Sequence, residues 1–197
     1  MDSFNQKLLE FFKSRLGNWV AFVWGVCEAT FFFIVPDVFF CLTALLVPGR
    51  GILHGFISIL GSLVGGVILY QLAFLFPVRL HEFLVHVPGI SQKMVAFVQG
   101  RMDEVGLTAL LSAPLGGIPY KIYAVQAGTL HLDWGKFLLM TIPARMERIL
   151  LVTILVGLLG KILEKNIKAN LRGWLIIYGI FWICFYGFYA YFITMKY

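Results

Sequence analysis

Apolar runs broken by proline, glycine and isolated charges set the pattern of this chain. Residues 1–17 mix acids and bases with Phe4, Leu8, Leu9, Phe12 and Leu16 at helical spacing, which predicts an amphipathic helix along a membrane surface. From Trp19 to Val35 the chain is apolar apart from Glu28 and Thr30. It meets Pro36 and Asp37, then runs apolar from Val38 to Val47 before Pro48-Gly49-Arg50. The second arm has about half of the ~20 residues that spanning requires, so the two arms read as a hairpin entering and leaving on one side. Gly51 to Pro77 is long enough to span with tilt. Ser58, Gly61, Gly65 and Gly66 at its centre suit close approach of another helix, and they also suit the wall of a cavity.

Val78 to Gly106 is the long polar stretch. Within it Met94, Val95, Phe97, Val98, Met102 and Val105 recur at helical spacing, predicting a second amphipathic helix. Leu111 to Gly128, LSAPLGGIPYKIYAVQAG, then sets Pro114, Gly116, Gly117 and Pro119 inside an apolar region and follows them with Lys121. Proline lacks the N–H and glycine is a weak helix former, so the stretch predicts a broken, re-entrant segment. Broken backbone survives in lipid only where protein buries it or where it lines a polar cavity. Trp134 to Gly160 reads as a further span, interrupted at Pro143 and carrying Arg145, Glu147 and Arg148. A basic connection with Lys161, Lys165, Lys168 and Arg172 leads to a last span, Trp174 to Thr194, whose aromatic residues suggest lipid contact and interfacial anchoring.

Composition agrees. The chain is 60% hydrophobic and 13% charged with mean hydropathy +0.86, more apolar surface than a soluble domain of 197 residues could hide. It reads as one all-α integral membrane domain: an amphipathic helix (1–17), a first repeat (18–77), an amphipathic connection (78–106), a second repeat (107–160), and a basic loop with a C-terminal span (161–197). About three helices would span fully. The net charge of +6 is scattered between apolar runs, so it speaks for orientation and anionic lipid rather than nucleic acid. Cys27, Cys41 and Cys184 form no CxxC pair, and His81 and His86 are spaced so that a helix does not stack them. No metal, cofactor or enzymatic nucleophile–base set is expected.

The two halves share a plan: amphipathic helix, short arm, proline-marked break, second short arm, long span. Pro36 corresponds to Pro119 and Gly49 to Gly128. If each hairpin returns to its own side, the halves are an inverted-topology repeat, which in transporters places the substrate near the midplane. One face then holds Lys7, Lys13, Arg15, Arg50, Lys161, Lys165, Lys168 and Arg172, and the other Arg79, Lys93, Arg101, Lys136 and Lys196. The larger basic set puts the N-terminus in the cytoplasm.

Glu28, Asp37, Lys121, Arg145, Glu147 and Arg148 all fall at membrane depth. Each ionisable group there costs at least ~2.5–3.5 kcal/mol, so they should face one another or water. Arg145 and Arg148, three apart, share a helix face. Two readings fit: structural ion pairs that pin the hairpins together, or a polar cavity with acids from the first half and bases from the second. Arginine's fork suits a phosphate head group, and a desolvated carboxylate suits proton uptake.

At these residues the chain resembles the DedA family, also called VTT or SNARE-associated, in its YqaA-like branch. The resemblance rests on Ile118-Pro119-Tyr120-Lys121 through Ala127-Gly128, on the Arg145/Arg148 pair, and on Glu28 with Pro36-Asp37, and it covers about Glu28 to Leu155. The chain departs from it at Pro114-Leu115-Gly116-Gly117, where many members carry an arginine, and in having no glycine between Pro36 and Asp37. Lys121 stands where many members have arginine. The resemblance implies two facing re-entrant loops and a membrane lipid as partner, in a flippase or scramblase of polyprenyl phosphates or phospholipids. It also implies Glu28 and Asp37 as proton-linked acids, and Arg145 and Arg148 as phosphate ligands assisted by Lys121. Transport of a small ion or polar solute, and a non-transporting scaffold, are the other functional readings. Oligomerisation is compatible with all three.

Overall fold

The computed structural model describes residues 3–196, with the backbone alone at Pro114 and Leu115; the side-chain role expected of Pro114 lies outside the described residues. The elements are α1 (Ser3–Lys13), α2 (Arg15–Thr30), α3 (Asp37–Leu46), α4 (Pro48–Leu75), α5 (Pro77–His86), α6 (Gln92–Val105), a 3₁₀ segment (Gly106–Ser112), α7 (Ala113–Gly116), α8 (Tyr120–Thr129), α9 (Trp134–Ile162), α10 (Glu164–Ala169) and α11 (Leu171–Lys196). The fold is all-helical, with no strand among the described residues.

By length and composition α4 and α11 can each cross a membrane. At 29 residues α9 is as long, but any stretch of about 20 residues within it contains Arg145, Glu147 and Arg148. Two of the three expected spans therefore meet both criteria, and the third meets length alone.

The central helix is α4, and its small residues show why. A side chain at Gly25 would collide with the Ser58 carbonyl, one at Gly61 with the Phe22 carbonyl, and one at Gly65 with Val26 and Ala29. From Gly17 against His54 to Ala29 against Gly65 the contacts advance together along both helices, so α2 and α4 run in the same direction, backbone against backbone. On α9 the order is reversed: Ile149 lies against Gly55, and Pro48 against Gly157, so α9 is antiparallel to α4. Arg145 of α9 meets Ser62, in the middle of α4. Tyr120, at the start of α8, fills the place a side chain at Gly66 would take, and Gly128 lies against the Tyr70 carbonyl. The end of α2 and the start of α8 thus both stand level with the middle of α4. Close packing, one of the two readings of this glycine stripe, is what these residues do.

Each break is held by side chains from elsewhere. At residues 31–36 the Phe32 carbonyl accepts from Lys121 Nζ at 3.1 Å, the Ile34 carbonyl from Trp24 Nε1 at 3.0 Å, and the Val35 amide donates to the Tyr186 hydroxyl at 2.8 Å. At the second break Gly117 is left-handed, φ 69°, and its carbonyl accepts from the Tyr189 hydroxyl at 2.9 Å. Tyr178 donates to the Val38 carbonyl at 2.8 Å. So α11 is more than an anchor. Phe181, Phe188 and Tyr191 are exposed, while Tyr178, Tyr186 and Tyr189 bind unwound backbone or helix ends.

Several boundaries differ from the sequence reading. The first helix stops at Lys13, because Ser14 caps α2 by accepting from the Gly17 amide at 3.2 Å. The stripe of α6 turns Met94, Val95, Val98 and Met102 into the protein core and leaves Phe97 and Val105 exposed. The arm before the second break is a 3₁₀ segment followed by the single turn α7. Pro143 does not interrupt its span: α9 runs through it, with the ring on the exposed side. A proline costs a helix one hydrogen bond, which long flanking helix on both sides can absorb.

Gly61→Val should lower stability in detergent by about 1–3 kcal/mol, because backbone occupies the added volume. Gly179→Ala, with open space around it, should be neutral or gain up to about 1 kcal/mol. Thermal melts of the purified protein compare the two.

Candidate functional site

The acids come from the two sides of the first break. Glu28 is the last acid of α2 and is 4% exposed. Asp37 opens α3 directly after Pro36, which starts the helix by offering its carbonyl to the Phe39 and Phe40 amides. An acid in the first turn also suits the helix dipole there. The bases come from the second half: Lys121 from the first turn of α8, directly after Pro119, and Arg145 and Arg148 from the middle of α9.

The structure brings these five together as two ion pairs and a backbone contact. Arg145 Nη2 bonds Glu28 Oε2 and also donates to Ser62 Oγ at 2.7 Å. Its guanidinium lies 5.0 Å from the Tyr120 ring centroid, a cation–π arrangement that suits a desolvated arginine. The Tyr120 hydroxyl is 3.1 Å from Thr141 Oγ1, whose own proton goes to the Phe137 carbonyl, so the tyrosine is the donor. Arg145 Nε finds no partner within the protein. Arg148 Nη2 bonds Asp37 Oδ2 at 2.9 Å. Here the exposures differ: the Arg148 side chain is 32% exposed and that of Arg145 8%, so one pair is sealed and the other reaches the surface.

Lys121 is buried and bonds neither an acid nor open space but the Phe32 carbonyl in the opposite break. Glu147 lies off the face that Arg145 and Arg148 share, as helical spacing places it, but it does not stay within the bundle as expected of the six charges. It lies on the exposed side of α9. The reason is helical geometry, since two residues carry it about 200° round from Arg145.

Ser62, Tyr120 and Thr141 complete the shell around Arg145 and were not singled out in the sequence. Ser62 lies in the small-residue stripe beside Gly61, and Tyr120 lies within Ile118-Pro119-Tyr120-Lys121, so both had a local signal. Thr141 had none. No cluster of histidine, cysteine or carboxylate able to hold a metal occurs among the described residues.

Removing one partner of the sealed pair should cost more than removing both. Arg145→Gln should destabilise by about 3–5 kcal/mol, because it leaves Glu28 buried without a counter-charge. The double variant Glu28→Gln with Arg145→Gln should recover part of that loss, and Arg148→Gln should cost less than Arg145→Gln. Denaturant titrations of the four proteins measure the order.

Comparison with known proteins adds relatives but no activity. A Haemophilus influenzae protein described as uncharacterized is 26% identical over 174 residues, covering 87% of this chain and 89% of its own length. An uncharacterized homologue from Histophilus somni is 32% identical over 76 residues, 38% of this chain and 40% of its own. No family model matches the chain, and no solved structure matches it. The chain is thus similar over nearly its whole length to a bacterial protein of about the same size.

Proposed function

We propose that this protein is a membrane lipid transporter, a flippase or scramblase that moves an anionic, phosphate-bearing lipid head group between leaflets. The observation that carries the reading is the meeting of two helix breaks, level with the middle of α4, at a cluster of three buried or half-buried cations and two buried acids. Arginines and a lysine at one point can serve a phosphate as well as they serve carboxylates. The resemblance to DedA proteins points to the same class of substrate.

The helix directions support the inverted-repeat reading. The first half enters with α2, breaks, returns with α3 and crosses with α4; the second breaks before α8 and crosses with α9 in the opposite sense. The basic residues support the orientation: Asn5, Pro48, Lys161 and Leu171 line one cavity, so the N-terminus, the start of α4 and the basic loop share one end. In this proposal that end is the cytoplasmic face of a bacterial inner membrane. Exposed apolar side chains along α4, α9 and α11, among them Leu60, Ile68, Leu155, Leu158, Ile180 and Phe188, suit contact with lipid.

In this reading the observed pairs are the closed resting arrangement. A proton taken up by Glu28 neutralises the carboxylate and breaks its ion pair, leaving Arg145 a free guanidinium for phosphate. Arg148, already partly exposed, is where the head group first arrives. Asp37 holds it until then, and Lys121 keeps the two breaks in register. One observation favours the scaffold reading: both acids are paired and Lys121 is spent on a carbonyl, which is how staples would look.

Liposomes containing a fluorescent phosphatidylglycerol separate these readings, with dithionite bleaching of the outer leaflet as the measure. The transporter should speed exchange, Arg148→Ala should abolish it, and Glu28→Gln should impair it. Unchanged exchange in both variants, with folding verified, would overturn the proposal. A reporter placed after α11 should be found outside the cytoplasm.

A further inference from the structure

His54 has no part in the cluster, yet it is fully buried on α4 between α3 and the α1–α2 junction. Its ring stacks on Phe39 at 5.1 Å, and its Nδ1 lies 3.2 Å from Thr43 Oγ1. Thr43 gives its single proton to the Phe39 carbonyl at 3.0 Å. The threonine can then only accept, so Nδ1 carries the hydrogen and Nε2 presents a bare lone pair. That nitrogen has no partner within the protein and faces Gly17, where a side chain would come within 3.5 Å of it. Four residues further along α4, the hydroxyl of Ser58 is likewise buried and without a partner. Four further still is Ser62, which donates to the Ser58 carbonyl at 3.0 Å and accepts from Arg145.

Residues at this spacing lie on one helix face. His54, Ser58 and Ser62 therefore form a polar stripe about 12 Å long, ending on the Glu28–Arg145 pair. Its other end is about 9 Å from the start of α4. A cavity of about 340 Å³ lined by Arg15, Asn18, Trp19, Phe22 and Ile57 flanks it, and Asn18 and Ile57 are the chain neighbours of Gly17 and Ser58. Buried polar atoms are normally partnered, so two unpartnered ones in succession ask for a role.

We infer that His54, Ser58 and Ser62 form a proton-relay site joining the N-terminal end of the bundle to Glu28. The inference rests on the proton-coupled part of the proposed function. A proton enters at Nε2 and makes an imidazolium, while Nδ1–H stays on Thr43. The imidazolium passes a proton from Nε2 along the water-bridged hydroxyls of Ser58 and Ser62 to the Glu28 carboxylate, which becomes a neutral acid. His54 returns to its starting tautomer and Arg145 is released. Against the ring, α3 places Thr43 and Phe39 and the α1–α2 junction Phe11 and Gly17; the charged group acting on it is Arg50, one turn away, and the other titrating group on the path is Glu28.

Two measurements test this. The first needs no transport: ¹⁵N-histidine spectra of the full chain in phosphatidylglycerol bilayers, with the His54 signals assigned by their loss in His54→Gln. The ring should exchange its Nε2 proton with water and take up a second proton on acidification. A ring that stays in one neutral tautomer without exchange overturns the relay. The second is exchange of the fluorescent phosphatidylglycerol with an imposed pH gradient. The gradient should accelerate the wild type, and His54→Gln should lose that acceleration by about tenfold or more while keeping gradient-free exchange. Acceleration lost in Glu28→Gln but kept in His54→Gln overturns the relay alone. A wild type indifferent to the gradient overturns the relay together with proton coupling, and leaves passive exchange standing.

Discussion

In the membrane setting proposed above an apolar surround cannot hydrate an unwound backbone, so the amides and carbonyls freed where α2 ends and α8 begins have to be met by other parts of the chain. Much of the remaining structure follows from that constraint. Lys121 crosses from the second break to the Phe32 carbonyl of the first, Trp24 turns back to Ile34, and α11 lends Tyr186 to Val35 and Tyr189 to Gly117. The breaks therefore hold each other, and α11 serves both. These contacts also fix the ends of α2, α3 and α8, which is what sets the acids and bases at one level.

The charges work under the same rule. A sealed carboxylate or guanidinium alone would be prohibitive, and together they are tolerable only with good geometry and further hydrogen bonds. Arg145 has these from Glu28, Ser62 and the face of Tyr120. Arg148, a third exposed, needs less, although its partner Asp37 is about as buried as Glu28. The result is a graded cluster: a closed inner pair, a more open outer pair, and a lysine tying backbone to backbone.

Glycine on α4 makes the cluster possible. Gly61 and Gly65 bring α2 to backbone distance, and Gly66 seats Tyr120 beneath Arg145. Bulkier residues at 61 or 65 would push α2 off α4, and Glu28, carried on α2, would shift with it. Stability and site geometry are thus set by the same few positions.

The one-dimensional pattern determined the helical class, the long apolar segments, placed at 51–77 and 174–194 where the helices run 48–75 and 171–196, the breaks near Pro36 and Pro119, and the inward turn of five of the six charges at the cluster's level, because hydropathy, proline and isolated ionisable residues act locally. It could pair Arg145 with Arg148 on one face, since helical spacing alone decides that. It could not say which acid each arginine takes, that Lys121 bonds a carbonyl, or that Pro143 is absorbed within α9. Tyr178, Tyr186 and Tyr189 looked like any aromatic belt, and His54 carried no signal. Those facts depend on which helices are level with one another, and that is decided by packing between residues far apart in the chain, where glycine lets backbones touch and every buried polar group needs a partner.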